Sequence, residues 1–149
     1  MPGSTQMVEI GHKPMVSRTA AASGHLRLQP ATLQAIATGT IPKGDVIATA
    51  QVAATLAVKN TPQLIPLCHP IPLTGTSAQV ELVADGVVVR VQVSAHYRTG
   101  VEMEALVGVA AALLTVWDMV KSLEKDASGN YPATVITGVR VEHKHKGSA

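Results

Sequence analysis

Apolar and polar residues follow two different periods along this chain. Val87, Val89, Val91, Val93 and Ala95 recur at every second position, while Arg90, Gln92, Ser94 and His96 share the other face with Val88. A period of two predicts a strand over 87–96 with one face buried and the other partly wet. A second strand over 77–84 is its partner, joined through Asp85-Gly86, a strong hairpin signal. Residues 102–124 carry the helical period instead: Leu106, Leu113, Val116, Val120 and Leu123 form an apolar stripe, flanked by the small residues Gly108, Ala111, Ala112 and Thr115. Asp45 stands where a helix over 46–59 needs an N-cap, and Pro30 and Gly39 bracket a shorter helix over 31–38. Weaker patterns predict a short strand over 24–29 and a last strand over 133–142, followed by a basic tail, Lys144-His145-Lys146. Pro62, Pro66, Pro70 and Pro72 exclude a central strand over 61–73, which reads as a shaped loop with one helical turn. Residues 1–12 lack periodicity and read as a loose, flexible arm ahead of a single domain over 13–149. Strands and helices alternating around a hairpin predict an α+β fold, an antiparallel sheet with helices packed on one face.

Composition narrows the function. Among 149 residues, 12 Lys+Arg against 10 Asp+Glu leave a charge of +2, and aromatic residues are 2% with no Phe. That balance is too weak for nucleic-acid binding, and so few aromatics cannot build a platform for stacked bases. The core must come from Val, Ala, Leu and Ile, whose small side chains also suit broad subunit contacts; an oligomer is expected. The charge-free runs 46–58 and 105–117 are 13 residues each, and the longer run 60–80 holds four prolines. A membrane span needs roughly 18–20 apolar residues, so no membrane association is expected. One cysteine, Cys68, forms no intrachain disulfide, and no basic head precedes an apolar stretch. A soluble cytoplasmic domain is the resulting expectation.

Charged residues are sparse, so their positions carry information. Lys43-Gly44-Asp45 opens a helix, where an ammonium beside exposed N–H groups can hold an anion; from spacing alone, an ordinary capped helix with a solvated lysine is the better explanation. Leu67-Cys68-His69-Pro70 lies between prolines that fix the backbone. Adjacent Cys68 and His69 point to opposite sides of an extended chain and make a poor nucleophile and base, but His69 alone can bind phosphate or move a proton near neutral pH. Glu102-Met103-Glu104 places two acids in a helix's first turn, which suits the dipole or, alternatively, receives the amino edge of a guanine-like base. Asp118, Lys121 and Lys125 share one helix face where an apolar stripe ends, a setting either for shifted proton affinities or for an ordinary surface ion pair. One cysteine and scattered histidines give no metal-ligand spacing.

These groups recur in one order in one family. Lys43-Gly44-Asp45-Val46, Leu64-Ile65-Pro66-Leu67-Cys68-His69-Pro70, Gly100-Val101-Glu102-Met103-Glu104-Ala105-Leu106 and Asp118-Met119-Val120-Lys121 make the chain resemble the molybdenum cofactor biosynthesis protein C family, the cyclic pyranopterin monophosphate synthases, over roughly residues 7–146. The resemblance implies a ferredoxin-like fold and a homohexamer built as a trimer of dimers. The implied reaction takes 3′,8-cyclo-7,8-dihydroguanosine 5′-triphosphate to cyclic pyranopterin monophosphate and pyrophosphate, with no cofactor. It implies catalytic roles for Asp118, Lys121, Lys43 and His69. Substrate contacts are implied for Leu67, Cys68, His69, Met103, Glu104 and Glu102, and for Arg18 in an N-terminal Arg-x-Ala element. On this basis Asp118 is expected to orient Lys121 as the working acid–base. Lys144 and Lys146 receive no assignment, although either could reach phosphate. The alternative is an inactive, nucleotide-binding oligomeric scaffold of the same fold.

Overall fold

A computed structural model describes residues 3–148; Met1 and Pro2 of the expected arm and Ala149 of the expected domain lie outside the described residues. Eight elements follow in the order β1 (Val16–Arg27), α1 (Pro30–Thr38), α2 (Val46–Lys59), α3 (Thr61–Leu64), β2 (Leu73–Val83), β3 (Gly86–Tyr97), α4 (Glu102–Glu124) and β4 (Val135–Lys146). The strands form one sheet in the order β2-β3-β1-β4, every neighbouring pair antiparallel. This is the α+β, ferredoxin-like arrangement expected from the sequence. Val87, Val89, Val91, Val93 and Ala95 are buried on the face that α4 covers, with α2 packed against α4 and β2, while Arg90, Gln92 and His96 face away and are exposed.

The predicted bounds of α2 and α4 are those observed. Asp45 Oδ1 accepts the Ala48 N–H at 3.0 Å and fixes the start of α2. α4 is long and apolar enough to cross a bilayer by length and composition, with half of that apolar stretch buried within the fold. Ala105, Val109, Leu113, Val116 and Val120 join the core beneath it. Gly108 is the close-approach point: a Cβ there would stand 2.7 Å from Val58 Cγ2 on α2. The small-residue flank of α4 therefore does meet another helix. Of the predicted stripe, Leu123 is exposed and Leu106 only half-buried, because the buried face is rotated toward that flank.

Four boundaries differ from expectation. β2 starts at Leu73, four residues before the expected start at residue 77, so its first residue lies in the stretch expected to be a loop. The first strand starts at Val16, not at residue 24. Its Ala20, Ala21 and Ala22 have poor strand propensity, and pairing with both β3 and β4 overrides it. The hairpin turn is Ala84-Asp85, with Gly86 already paired to Val83. The last strand begins at Val135 and runs through Lys146, so the basic tail is strand: Lys144 pairs with Ala20 and Lys146 with Arg18. β4 is exposed along nearly its whole length, including Val135, Val139 and Val141.

Candidate active site

Two groups of the anticipated residues are built on the two ends of α4. At the C-terminal end, Asp118 lies between two ammonium groups. Lys43 Nζ donates to Oδ2 at 2.8 Å, and Lys121 Nζ, one turn along the same helix, donates to Oδ1 at 3.0 Å. Lys43 also reaches the Asp118 carbonyl at 3.4 Å. Gly44 makes this possible with φ of +113°, a conformation that L side chains rarely adopt. It lets Asp45 cap α2 while Lys43 crosses to α4. The hydrogen bonds from Lys43 and then Lys121 hold the Asp118 carboxyl down at about 2. The same contact raises Lys121 above its ordinary value, with a smaller contribution from Tyr131. Tyr131 meets Trp117 edge-on, with ring centroids 5.3 Å apart. The loop that brings it there is wound around Asp126, whose Oδ1 accepts from Ser128 N, Ser128 Oγ and Asn130 N at 2.6–3.0 Å.

At the N-terminal end of α4, a cavity of about 540 Å³ has one wall from Leu67, Cys68 and His69 and another from Glu102 and Met103. The proline-bounded loop supplies the first wall, and the first helical turn supplies the second. Glu104 is not in the lining. It lies behind it, 2% exposed, and Cys68 Sγ contacts its Oε2 at 3.8 Å. Oε1 of Glu104 is buried with no hydrogen-bond partner. Burial raises the Glu104 carboxyl, and burial followed by the neighbouring Glu104 raises the Cys68 thiol. An undissociated thiol is a weak nucleophile, consistent with a packing and contact role for Cys68. Glu102 pairs with Lys144 Nζ at 3.4 Å, so the strand taken for a tail closes on the rim of the cavity. Arg18 also stands outside the lining. The residue is 9% exposed; its guanidinium donates from Nη2 to the Arg98 carbonyl at 3.2 Å and, among the described residues, leaves Nε without a partner.

Comparison with known proteins bears on both groups. The chain matches the MoaC family over residues 7–147. It is 62% identical over 141 residues to a protein of Aeropyrum pernix, covering 95% of this chain and 97% of the relative. A relative from Thermococcus kodakarensis is 56% identical over 142 residues, with 95% and 91% covered. One from Archaeoglobus fulgidus is 51% identical over 145, with 97% and 93% covered. Each is named a probable cyclic pyranopterin monophosphate synthase. This chain belongs to the MoaC family.

The four MoaC motifs do not converge within one chain. Glu102 and Asp118 are sixteen positions apart on one uninterrupted helix, which at ~1.5 Å per residue separates the two groups by about 24 Å. Lys43, Asp118 and Lys121 come together; Leu67, Cys68, His69, Glu102 and Met103 come together elsewhere, with Glu104 behind them and Arg18 nearby on β1. Sequence reasoning did not single out Lys13 and Gln6, which line the cavity, or Arg98, whose Nη1 holds the Gly11 carbonyl at 2.7 Å. It also passed over Glu124, a fully buried carboxyl group joining α4 to Gln29, Thr32 and Thr134. Its position as the last residue of a long helix, with no basic residue in the flanking Gln29–Thr32 segment, was the available signal.

Proposed function

We propose that the chain is a cyclic pyranopterin monophosphate synthase. It converts 3′,8-cyclo-7,8-dihydroguanosine 5′-triphosphate into cyclic pyranopterin monophosphate and pyrophosphate in molybdenum cofactor biosynthesis. The observation that carries this reading is the Lys43–Asp118–Lys121 cluster, formed from two separate family motifs that meet in the fold. The shared name of the relatives supports the same activity. An inactive scaffold would have no need to keep His69 at a cavity and two lysines on one aspartate.

Substrate is bound between two subunits. The cavity with Leu67, His69 and Met103 receives the purine half. The Lys43–Asp118–Lys121 cluster of a neighbouring copy meets the phosphates, since about 24 Å of helix separates the two within a protomer. Exposed apolar side chains support such an assembly: Val52 and Leu56 on α2, Leu114 on α4, and Val139 on the open edge β4. A homohexamer made of three dimers satisfies this requirement.

In the reaction, a sugar oxygen forms a bond to the innermost phosphorus as the bond to pyrophosphate breaks. Negative charge accumulates on the leaving oxygens, and Lys43 and Lys121 stabilise it most in the transition state. Asp118 keeps both ammonium groups in place. Because Asp118 raises Lys121, the protonated form is the working form: Lys121 donates a proton and positive charge, and the role of base passes to another group. His69, on the purine side, is suited to moving protons during ring opening. The protein acts in the cytoplasm. Purified protein given the cyclised dihydroguanosine triphosphate is expected to release pyrophosphate, with Lys121→Ala binding substrate but failing to turn over. Absence of pyrophosphate from the parent protein would refute the assignment.

A further inference from the structure

We propose that Tyr131 is a further substrate-contacting residue, its hydroxyl donating a hydrogen bond to the phosphates on the flank of Lys121 away from Asp118. The proposal rests on the reading of the Lys43–Asp118–Lys121 cluster as the phosphate site. Helix geometry sets the arrangement. Asp118 and Trp117 precede Lys121 by three and four positions on α4, so they are its two neighbours one turn back. Asp118, with Lys43 bound to it, occupies one flank. Trp117 occupies the other, and the Tyr131 ring stands edge-on against it, with centroids 5.3 Å apart and planes at 71°.

The loop that delivers Tyr131 is closed on itself. The Asp126 N–H donates to the Asn130 carbonyl at 2.9 Å, the Gly129 N–H to the Asp126 carbonyl at 3.0 Å, and Asn130 Nδ2 to Ser128 Oγ at 2.9 Å. These add to the three bonds that Asp126 Oδ1 accepts. On the other side Pro132 keeps the Tyr131 backbone out of the helical region. Residues 126–130 thus carry their own rigidity and present one aromatic side chain. Two features point to a ligand rather than to packing. Contact with Trp117 uses the ring and leaves the hydroxyl over: among the described residues no group bonds to it, although a phenol in a half-buried position ordinarily finds a partner. Position is the second. Asp118 and, after it, Tyr131 raise the Lys121 ammonium above its ordinary value, so the phenol oxygen stands within electrostatic reach of the group that meets the phosphates. Lys43 and Lys121 each commit a donor to Asp118. A neutral O–H beside them adds a donor for a phosphate oxygen without adding a third charge that would repel the two ammonium groups.

The test uses the full-length protein, with KM and kcat from pyrophosphate release and inorganic pyrophosphate as an inhibitor that probes the phosphate site alone. Tyr131→Phe removes the hydroxyl and keeps the ring against Trp117. It is expected to raise both KM and the inhibition constant of pyrophosphate about fivefold, the contribution of one partly solvated hydrogen bond to a charged acceptor. Its Tm should stay within about 2 °C of the parent. Because the lost donor is neutral, the salt dependence of pyrophosphate inhibition should remain that of the parent, whereas Lys43→Ala should flatten it. Asp126→Ala, which frees the loop, should raise KM by a similar factor, and the double variant should be no worse than the worse single one. Parent-like constants in Tyr131→Phe, or losses that multiply in the double variant, would overturn the proposal while the parent remains active. So would a flattened salt dependence in Tyr131→Phe, since the substitution would then act by displacing Lys121. A parent that neither turns over the cyclised dihydroguanosine triphosphate nor is inhibited by added pyrophosphate would overturn the reading of the cluster itself.

Discussion

Glu124 offers the most quantitative check on how the end of α4 that bears Asp118 and Lys121 is held. Its carboxyl group is fully buried and accepts hydrogen bonds from the Gln29 backbone N–H at 3.1 Å, from Thr32 Oγ1 and from Thr134 Oγ1 at 2.6 Å; its carbonyl accepts from Gln29 Nε2 at 3.2 Å. One side chain thus ties the end of α4 to the start of α1 and the entry to β4, one turn beyond Lys121. Glu124→Ala strands the Gln29 amide, which cannot rotate toward another acceptor, whereas the two hydroxyls partly can. One unmet buried donor, two weakened hydroxyls and the space left by the side chain sum to about 3–5 kcal/mol. For a chain of this size that corresponds to a fall in Tm of about 6–20 °C. Glu124→Gln keeps one acceptor and most of the volume, and should cost about 1–2 kcal/mol. Thermal melts at one fixed protein concentration, required because association contributes to Tm, measure both. Activity should fall with Glu124→Ala even well below its Tm, since the turn bearing Lys121 loses its anchor. A Glu124→Ala protein melting within about 2 °C of the parent would refute the clamp, because less than ~1 kcal/mol would then be at stake.

The pH behaviour of the two ends of α4 should differ in sign. Asp118 sits at about 2 in the folded state, so its contribution is complete above the ordinary carboxylate range and is lost as pH falls from there through about 2. A profile of kcat/KM from about pH 5 to about pH 11 should therefore contain no limb from Asp118, while Asp118→Asn should bring the Lys121 limb down toward 10.5. Glu104 behaves oppositely: burial raises it above 4.5, so the folded protein binds that proton more tightly than the unfolded chain and loses stability as pH rises through the shifted value. Glu104→Gln should melt higher than the parent at about pH 8 and no higher at about pH 4. A lower Tm at both would show that the carboxyl is not burdened by its burial.

Those elements whose local signals agree with their tertiary setting could be read from the sequence: Asp45 capping α2, the alternating valines of β3, and the whole of α4. The N-terminal half of β1 could not, because alanines carry no period and only pairing on both sides makes them a strand. Lys144 to Lys146 looked like a solvated charge run for the same reason. At the site, Asp118 and Lys121 were adjacent in pattern as well as in space. The arrival of Lys43 depends on a contact across 75 positions, which no local pattern in the sequence signals. Lys13 and Arg98 escaped notice because the segment before β1 takes its shape from the cavity rather than from any repeat of its own.

Subunit mixing tests the shared site most directly. Lys121→Ala and His69→Ala proteins, each inactive alone, are combined under conditions that exchange subunits, and pyrophosphate release is followed. If each site takes Lys121 from one chain and His69 from a symmetric partner, mixed pairs hold one site with both groups intact, and random pairing restores about a quarter of the parent activity. Recovery at that level is the predicted result; a verified mixed assembly that stays inactive would contradict the account.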